Sequence, residues 1–228
     1  IWVGSDDGLV HLTRDGGATW INITPRALPE WATIESIEPD PLDADTAWVV
    51  AHRYRLDDFR PYLYRTRDGG KSWEAMGKDL PADLPLWALR IDPDDHAWIY
   101  LGTDRGVWHS RDGGRRFEPL QLNLPAVTVT DLEARHGDLV VGTRGRSIWV
   151  LENLASLRAL PAAREQPLAI LPVAPAVRWR DAARWDFLVP GAVDEVPAGA
   201  VVRYWLREAP KGELMLTVRD TDGTVLRT

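Results

Sequence analysis

A short segment that occurs three times constrains the fold of this 228-residue chain more than any other feature. Each copy follows the pattern Ser/Thr-x-Asp-x-Gly-x-Thr/Ser-aromatic, which we call the Asp box. The copies are Thr13–Trp20, Thr66–Trp73 and Ser110–Phe117, and in the third copy Arg116 replaces the hydroxyl residue. The box aspartates lie 53 and 44 positions apart. A period of about 40 to 50 residues is typical of one four-stranded blade of a β-propeller.

The residue types of the box indicate a tight turn. Glycine adopts a positive φ at low cost, and an aspartate side chain accepts hydrogen bonds from turn amides. We expect the hydroxyl residues to connect the two arms of the turn and the aromatic residue to pack against the blade. Structural roles are therefore predicted for Asp15, Gly17, Trp20, Asp68, Gly70, Trp73, Asp112, Gly114 and Phe117.

Short apolar or alternating runs, punctuated by 18 Gly and 17 Pro, predict an all-β fold. Blade two is predicted from strands near 33–38, 46–52, 62–67 and 73–76. Blade three is predicted near 87–92, 98–103, 106–111 and 117–120, and a partial blade near 129–135, 138–144 and 147–152. The first blade lacks its innermost strand, because Ile1 aligns with the second strand of blade three.

This arrangement predicts about three and a half blades, whereas closed propellers need at least about four. An open fan of blades exposes sheet edges and apolar faces. We therefore expect either that the chain is a piece of a longer polypeptide, whose remaining blades cover the open edges, or that a second copy covers them.

The C-terminal part of the chain predicts a second β domain. Pro161–Pro175 is rich in Pro and Ala and is predicted to be a linker or the entry to a domain. Strands are predicted at Trp185–Val189, Val201–Glu208, Leu214–Arg219 and Thr224–Leu226, with a hairpin turn at Asp220–Gly223. The predicted domains are therefore propeller blades over 1–160, incomplete at the N-terminus, and a linker with a truncated β-sandwich over 161–228.

Composition argues against several classes of function. The net charge of −7 and the absence of a basic block argue against nucleic-acid binding. No apolar run approaches the roughly 18 residues of a membrane span. The chain has no cysteine, and its five histidines lack zinc-site spacing. We predict no cofactor and no metal.

The loop face opposite the boxes carries the candidate ligand-binding residues. The longest loop there, from 52 to 62, interleaves aromatic, basic and acidic residues, which suits contact with a sugar or a peptide. The alternative is that this loop is an insertion that is solvated or packs at an interface. Trp31 and Trp87, taken as equivalent positions, are either sugar platforms or blade packing. The candidates are His52, Tyr54, Arg55, Asp57, Asp58, Arg60, Trp31, Trp87, Asp104, Arg105, Arg144 and Arg146.

Catalytic residues stay unassigned at this stage. A glycosidase needs two carboxylates about 5–5.5 Å or about 6.5–9.5 Å apart. Carboxylates are available near the loop face at Glu30, Asp57, Asp58, Asp104 and Asp131. No spacing in the sequence selects a pair among them.

The three boxes, together with the run Val140–Asn153, resemble the BNR/Asp-box repeat superfamily. That group includes sialidases, xyloglucanase-type glycoside hydrolases and sortilin-like receptors. In it a Thr-His-Gly-Arg run ends the propeller, and here Arg144 stands in place of His. The resemblance covers roughly residues 1–160 and implies a propeller. The strands beyond it resemble an Ig-like sandwich of the flagellar-hook-assembly type.

The resemblance leaves two functional hypotheses. In the first, the chain is a non-catalytic segment of an exported protein, secreted or in the cell envelope, that binds a glycan or a protein partner through its loop face. In the second, it is part of a xyloglucanase-like glycoside hydrolase acting on β-glucans. Fold alone does not choose between them.

Overall fold

A computed structural model describes residues 1–120, 122–176 and 199–228 of the chain. The chain is divided into two compact units, Ile1–Glu152 and Asn153–Thr228. The chain is nearly all β, as the sequence predicts, with several small antiparallel sheets. Among the described residues, no helix is long and apolar enough to cross a membrane.

The first unit contains four antiparallel sheets, each with its strands in chain order. Blade one contains β1 (Trp2–Gly4), β2 (Val10–Leu12) and β3 (Ile21–Asn22). Blade two contains β4 (Thr33–Asp40), β5 (Asp43–Arg53), β6 (Asp58–Thr66) and β7 (Glu74–Ala75). Blade three contains β8 (Leu86–Ile91), β9 (Ile99–Thr103), β10 (Gly106–Ser110) and β11 (Glu118–Pro119). Blade four contains β12 (Val129–Arg135), β13 (Asp138–Thr143) and β14 (Ile148–Leu151), and the predicted partial propeller is confirmed.

The core of this unit lies between the blades. Strand β5 shows why, because its successive side chains point to opposite faces. Trp48 and Val50 pack with blade three, whereas Val49 and Ala51 pack with blade one. A strand buried on both faces has a continuous apolar run, which matches the sequence from 47 to 51.

The three Asp boxes form the turns between the third and fourth strands of blades one to three. In the first box, Asp15 Oδ1 accepts from the Thr13 hydroxyl at 2.8 Å and from the Thr19 amide at 2.9 Å. The amide of Gly17, which has a φ of 101°, donates to the Thr13 hydroxyl at 2.9 Å. Each box aspartate accepts a hydroxyl and an amide hydrogen bond from its own turn.

The box aromatics join each blade to the preceding one. The Nε1 atom of Trp73 in blade two donates to the Ile23 carbonyl of blade one at 2.6 Å. Phe117 in blade three is buried in the cluster that contains Trp48 of blade two. Trp20 of blade one, in contrast, is 45% exposed.

An ion network crosses the innermost strands of three blades. Nη1 of Arg90, on β8, lies 2.7 Å from Oε2 of Glu38 on β4. Nη2 of Arg90 lies 3.2 Å from Oε2 of Glu133 on β12, and its Nε donates to the Leu132 carbonyl at 2.8 Å. Burial raises the pKa of Glu38, with the charge of Arg90 acting in the opposite direction.

The second unit begins with a helix that the sequence analysis did not predict. Helix α1 (Leu154–Arg164) contains Pro161, where we had predicted the start of a linker. Asn153 caps the helix by accepting from the Ser156 amide at 3.2 Å. Proline inside a helix removes a hydrogen bond and normally ends it, which explains the error.

The remaining strands among the described residues of this unit form two antiparallel pairs. Strand β15 (Leu168–Ile170) pairs with β16 (Tyr204–Leu206), and β17 (Val218–Arg219) pairs with β18 (Val225–Arg227). The predicted turn at Asp220–Gly223 joins the second pair, with the Gly223 amide donating to the Asp220 carbonyl at 3.1 Å. The predicted strand at Trp185–Val189 lies outside the described residues, and the Ig-like sandwich stays a prediction.

Candidate functional site

The candidate site lies at the ends of the strands opposite the boxes. In an antiparallel sheet, successive turns alternate between the two ends of the strands. Because the boxes join third strands to fourth strands, the turns that join second strands to third strands lie at the opposite end. Four turns have this position: 5–9, 54–57, 104–105 and 144–147.

Five side chains from three blades meet on this face. We call them the His52 cluster: Glu35, His52, Tyr54, Trp87 and Arg144. The centroid of the His52 ring lies 4.9 Å from that of Tyr54 and 4.7 Å from that of Trp87. Tyr54 and Trp87 are 5.2 Å apart, and Cζ of Arg144 lies 4.4 Å from the centroid of the Trp87 ring. Nε2 of His52 lies 3.0 Å from Oε2 of Glu35.

Glu35 supplies the carboxylate of the cluster, and the sequence analysis did not select it. Its side chain is 32% exposed. The hydrogen bond from His52 lowers the pKa of Glu35, opposed by burial and assisted by the charges of His52, Arg144 and Arg55. Glu35 is therefore an ionised hydrogen-bond acceptor in a positively charged environment.

A β-bulge places Glu35 in the cluster. Ile34 pairs with Ala51 and Ser36 pairs with Val50, so Glu35 is left as the extra residue between them. Bulges re-aim side chains and are frequent beside binding sites. An isolated glutamate at the start of a predicted strand gives no signal of this register shift.

The innermost strands of blades three and four have the same irregularity at the same offset. The extra residue is Trp87 in β8 and Thr130 in β12. Trp87 is thus the equivalent of Glu35, and its predicted equivalence to Trp31 is wrong. Trp31 precedes β4 by two positions, with a φ of 62° and an exposed side chain. The sequences before the two tryptophans are similar, but hydrogen-bond register, not local sequence, sets equivalence between blades.

Burial divides the cluster into a scaffold and a ligand-accessible part. His52 and Trp87 are buried, and their rings pack against each other. Glu35 and Arg144 are exposed, and Tyr54 is half-buried. Nδ1 of His52 and Nε1 of Trp87 are buried without a hydrogen-bond partner among the described residues. Such unsatisfied groups are costly, which favours a functional reason for the cluster.

Asp58 and Arg60, predicted as ligand contacts, belong to a separate hydrogen-bonded group that holds the β5–β6 hairpin. Asp58 accepts from Arg60 Nε at 2.9 Å, from Arg53 Nη1 at 3.0 Å and from the Tyr62 hydroxyl at 2.6 Å. The hydrogen bonds from Arg60 lower the pKa of Asp58 well below its usual range. These contacts already saturate the carboxylate, so its observed role is internal.

The other predicted residues lie on the same face, either in turn 104–105 or in the two turns that supply Tyr54 and Arg144. Arg105 pairs with Asp83, to whose carbonyl it also donates at 2.9 Å. Asp104 accepts from the Thr128 hydroxyl at 2.9 Å. The guanidinium of Arg55 lies 5.6 Å from the Tyr54 ring centroid, which places it beside the cluster. The remaining two, Asp57 and Arg146, are exposed turn residues.

The His52 cluster offers binding chemistry more than acid–base chemistry. It combines aromatic rings, guanidinium donors and one carboxylate acceptor, which can stack against a sugar and bind its hydroxyl groups. Glycoside hydrolysis needs a second carboxylate at a defined distance, and the five residues of the cluster include Glu35 alone. Within the described ranges, His, Asp and Glu side chains form no group of three or more that could hold a metal ion.

The fold and the cluster together define a segment of a β-propeller with a mixed aromatic and charged loop face. The sequence is similar to curated xyloglucanases. It is 31% identical to one from Acetivibrio thermocellus over 171 residues, a match that covers 68% of this chain and 20% of that protein. It is 23% identical over 156 residues to one from Paenibacillus sp, covering 62% of this chain and 15% of that protein.

Solved structures agree with this fold. A GH74 enzyme from Niastella koreensis superposes with a TM-score of 0.52 at 14% identity, covering 67% of this chain and 26% of that chain. The GH74 xyloglucanase from Xanthomonas campestris gives a TM-score of 0.50 at 20% identity, covering 67% and 27%. No protein-family model matches the chain. The chain is a propeller segment related to glycoside hydrolases, and it spans about a fifth or less of the curated relatives it matches.

Proposed function

We propose that the first unit binds a glycan through the His52 cluster, as a non-catalytic segment of an exported protein. The observation that carries this proposal is the convergence of Tyr54, Arg144 and Glu35 from two blades on one exposed face. Similarity to xyloglucanases favours a β-glucan ligand. We also propose the secreted or cell-envelope location from that similarity.

The cluster is built so that its accessible groups are held in place. Tyr54 packs on the buried His52 and Trp87 rings, which fixes the ring that remains half-exposed. Arg144 stacks on Trp87, and stacking leaves the N–H groups in the guanidinium plane free to donate. A preorganised site loses less entropy when a ligand binds.

Calorimetric titration of the 228-residue chain with xyloglucan oligosaccharides tests the proposal. We expect saturable binding, weakened about tenfold by Tyr54→Ala, which corresponds to about 1.4 kcal/mol. Glu35→Gln is expected to weaken binding as well, because the amide presents one acceptor in place of a charged carboxylate.

The matched control is Lys71→Ala, an exposed side chain in the second box on the opposite edge. Its affinity should equal that of the unmodified chain. Failure of every glycan to bind, or equal affinity of the Tyr54→Ala and Lys71→Ala variants, would contradict the proposal. Capture of a protein by the same face would show that the partner is a polypeptide.

A second candidate function is a contribution to xyloglucan hydrolysis. The 31% identity to a xyloglucanase is the specific observation in its favour. The chain should then release reducing ends from xyloglucan, and Glu35→Gln should abolish the release. Binding of xyloglucan without release of reducing ends would support the binding function and contradict hydrolysis.

A further inference from the structure

Blade four has an outer edge that no described strand covers. Its sheet contains β12, β13 and β14, whereas β7 and β11 extend the sheets of blades two and three as fourth strands. An unpaired edge presents a row of free backbone groups that a further strand can use.

The pairing register identifies the residue of β14 that a fourth strand would cover. The second strands of the four blades have an equivalent position, and in each blade one residue of the third strand pairs with it. In blade four, Ile148 pairs with Gly142 at this position. The four equivalent residues are Val10, Leu63, Val107 and Ile148.

In the first three blades the fourth strand covers this residue. Its carbonyl accepts an amide hydrogen bond at 2.9, 2.9 and 2.8 Å, from Ile23, Met76 and Leu120 respectively. The covered side chains of blades one to three are 0%, 2% and 2% exposed, whereas Ile148 is 70% exposed. The position that the rest of the unit buries is thus open in blade four.

An apolar groove lies beside this edge, where the fourth strand would place its aromatic residue. In blade three, Phe117 belongs to the same buried cluster as Leu63 of the preceding blade. The groove contains Val107, which is the blade-three equivalent of Leu63. It is lined further by Leu120, Leu122, Leu124, Trp149 and Leu151.

We propose that the outer edge of blade four binds an extended polypeptide strand in antiparallel orientation. An aromatic residue of that strand fills the groove beside Val107. The residue three positions later is aliphatic and donates its amide to the Ile148 carbonyl, which is the spacing between Phe117 and Leu120 in blade three. Main-chain pairing supplies affinity and the aromatic pocket supplies specificity.

Fluorescence anisotropy with a labelled synthetic peptide tests this inference on the full chain. The probe is the segment 66–78, which contains the second box and the fourth strand of blade two. Saturable binding is expected. Replacing Trp73 by Ala or Met76 by Pro within the peptide should weaken it at least tenfold, because each removes one proposed contact.

On the protein side, Ile148→Asp should abolish binding by placing a carboxylate on the docking edge. The matched control is Leu42→Asp, at another exposed aliphatic residue, in the β4–β5 turn. Absence of saturable binding, or equal binding by these two variants, would overturn the inference. The peptide variants keep the test decisive if Ile148→Asp does not fold. Glycan binding by the His52 cluster does not depend on the result.

Discussion

The three box aspartates hold the same turn with different sets of donors. Asp15 and Asp68 each accept from two hydroxyl groups and from a turn amide. Asp112 accepts from the Ser110 hydroxyl and from two amides, because Arg116 occupies the second hydroxyl position. The third box thus keeps its backbone bonds and lacks one side-chain bond.

Restoring that bond should stabilise the protein. In an Arg116→Thr variant, the new hydroxyl can donate to Asp112 as the Thr19 hydroxyl donates to Asp15 at 2.6 Å. We expect a gain of about 0.5–1 kcal/mol in the free energy of unfolding, measured by urea titration. Arg115→Thr is the control, since it removes a neighbouring exposed arginine outside the hydroxyl position. An equal change in both variants would assign the effect to charge.

The boxes also predict how stability depends on pH. Hydrogen bonds from Ser72 lower the pKa of Asp68 from 3.8 to about 2. A carboxyl group with a depressed folded-state pKa stabilises the fold above its unfolded-state pKa and loses this contribution as the pH falls toward 2. As the pH falls over this range, the free energy of unfolding from urea titrations should therefore decrease less for Asp68→Asn than for the unmodified chain. The exposed Asp57→Asn is the control, and an unchanged slope in Asp68→Asn would contradict the prediction.

At the scale of elements, the box aromatic before the fourth strand packs blades two and three against the blade that precedes each of them. Trp73→Phe keeps the ring and removes the indole N–H that donates to the Ile23 carbonyl at 2.6 Å. We expect a loss of about 1 kcal/mol in the free energy of unfolding. Trp20→Phe, at the same box position in blade one, should have a smaller effect because Trp20 is half-exposed. Thermal or urea unfolding compares the pair, and equal losses would refute the docking role of the indole N–H.

Strand positions were largely predictable from sequence, because they depend on local chemistry. The continuous apolar run of β5, glycine at the positive-φ turn positions and the repeated box place the strands within a few residues. Helix α1 was not predictable in the same way. Pro161 is a strong local signal against a helix. The helix forms nevertheless, with Asn153 capping its first turn.

The candidate site was predictable only in part, because it is assembled from distant segments. His52, Tyr54 and Arg144 were selected from their turns, and the structure brings them together. Glu35 joins them through a bulge, which depends on strand register. Trp87 was selected as well, but it serves as the buried scaffold of the cluster.

At the scale of the whole propeller unit, Arg90 connects three blades through their innermost strands. Arg90→Met should leave Glu38 buried without its cationic partner. We expect the free energy of unfolding to fall by about 2 kcal/mol at neutral pH. This loss is smaller than for a fully buried ion pair because Arg90 is partly exposed.

The pH dependence of this loss provides the check. Burial raises the pKa of Glu38, so its protonated form is favoured in the fold and its penalty falls as the pH decreases. The difference between the variant and the unmodified chain should therefore shrink at mildly acidic pH. Arg67→Met, at an exposed arginine in the second box, is the control. A difference that is constant with pH would show that Glu38 is not the group involved.

The bulges of the innermost strands give blades two, three and four one side chain each that has no partner in the strand pairing. Glutamate, tryptophan and threonine occupy this place in successive blades, and the surrounding ladders stay the same. Natural variation can therefore exchange the chemistry of the loop face one blade at a time without rebuilding any sheet. An engineer who wished to retune the ligand preference of this propeller would begin at positions 35 and 130, and would leave the buried indole at 87 untouched.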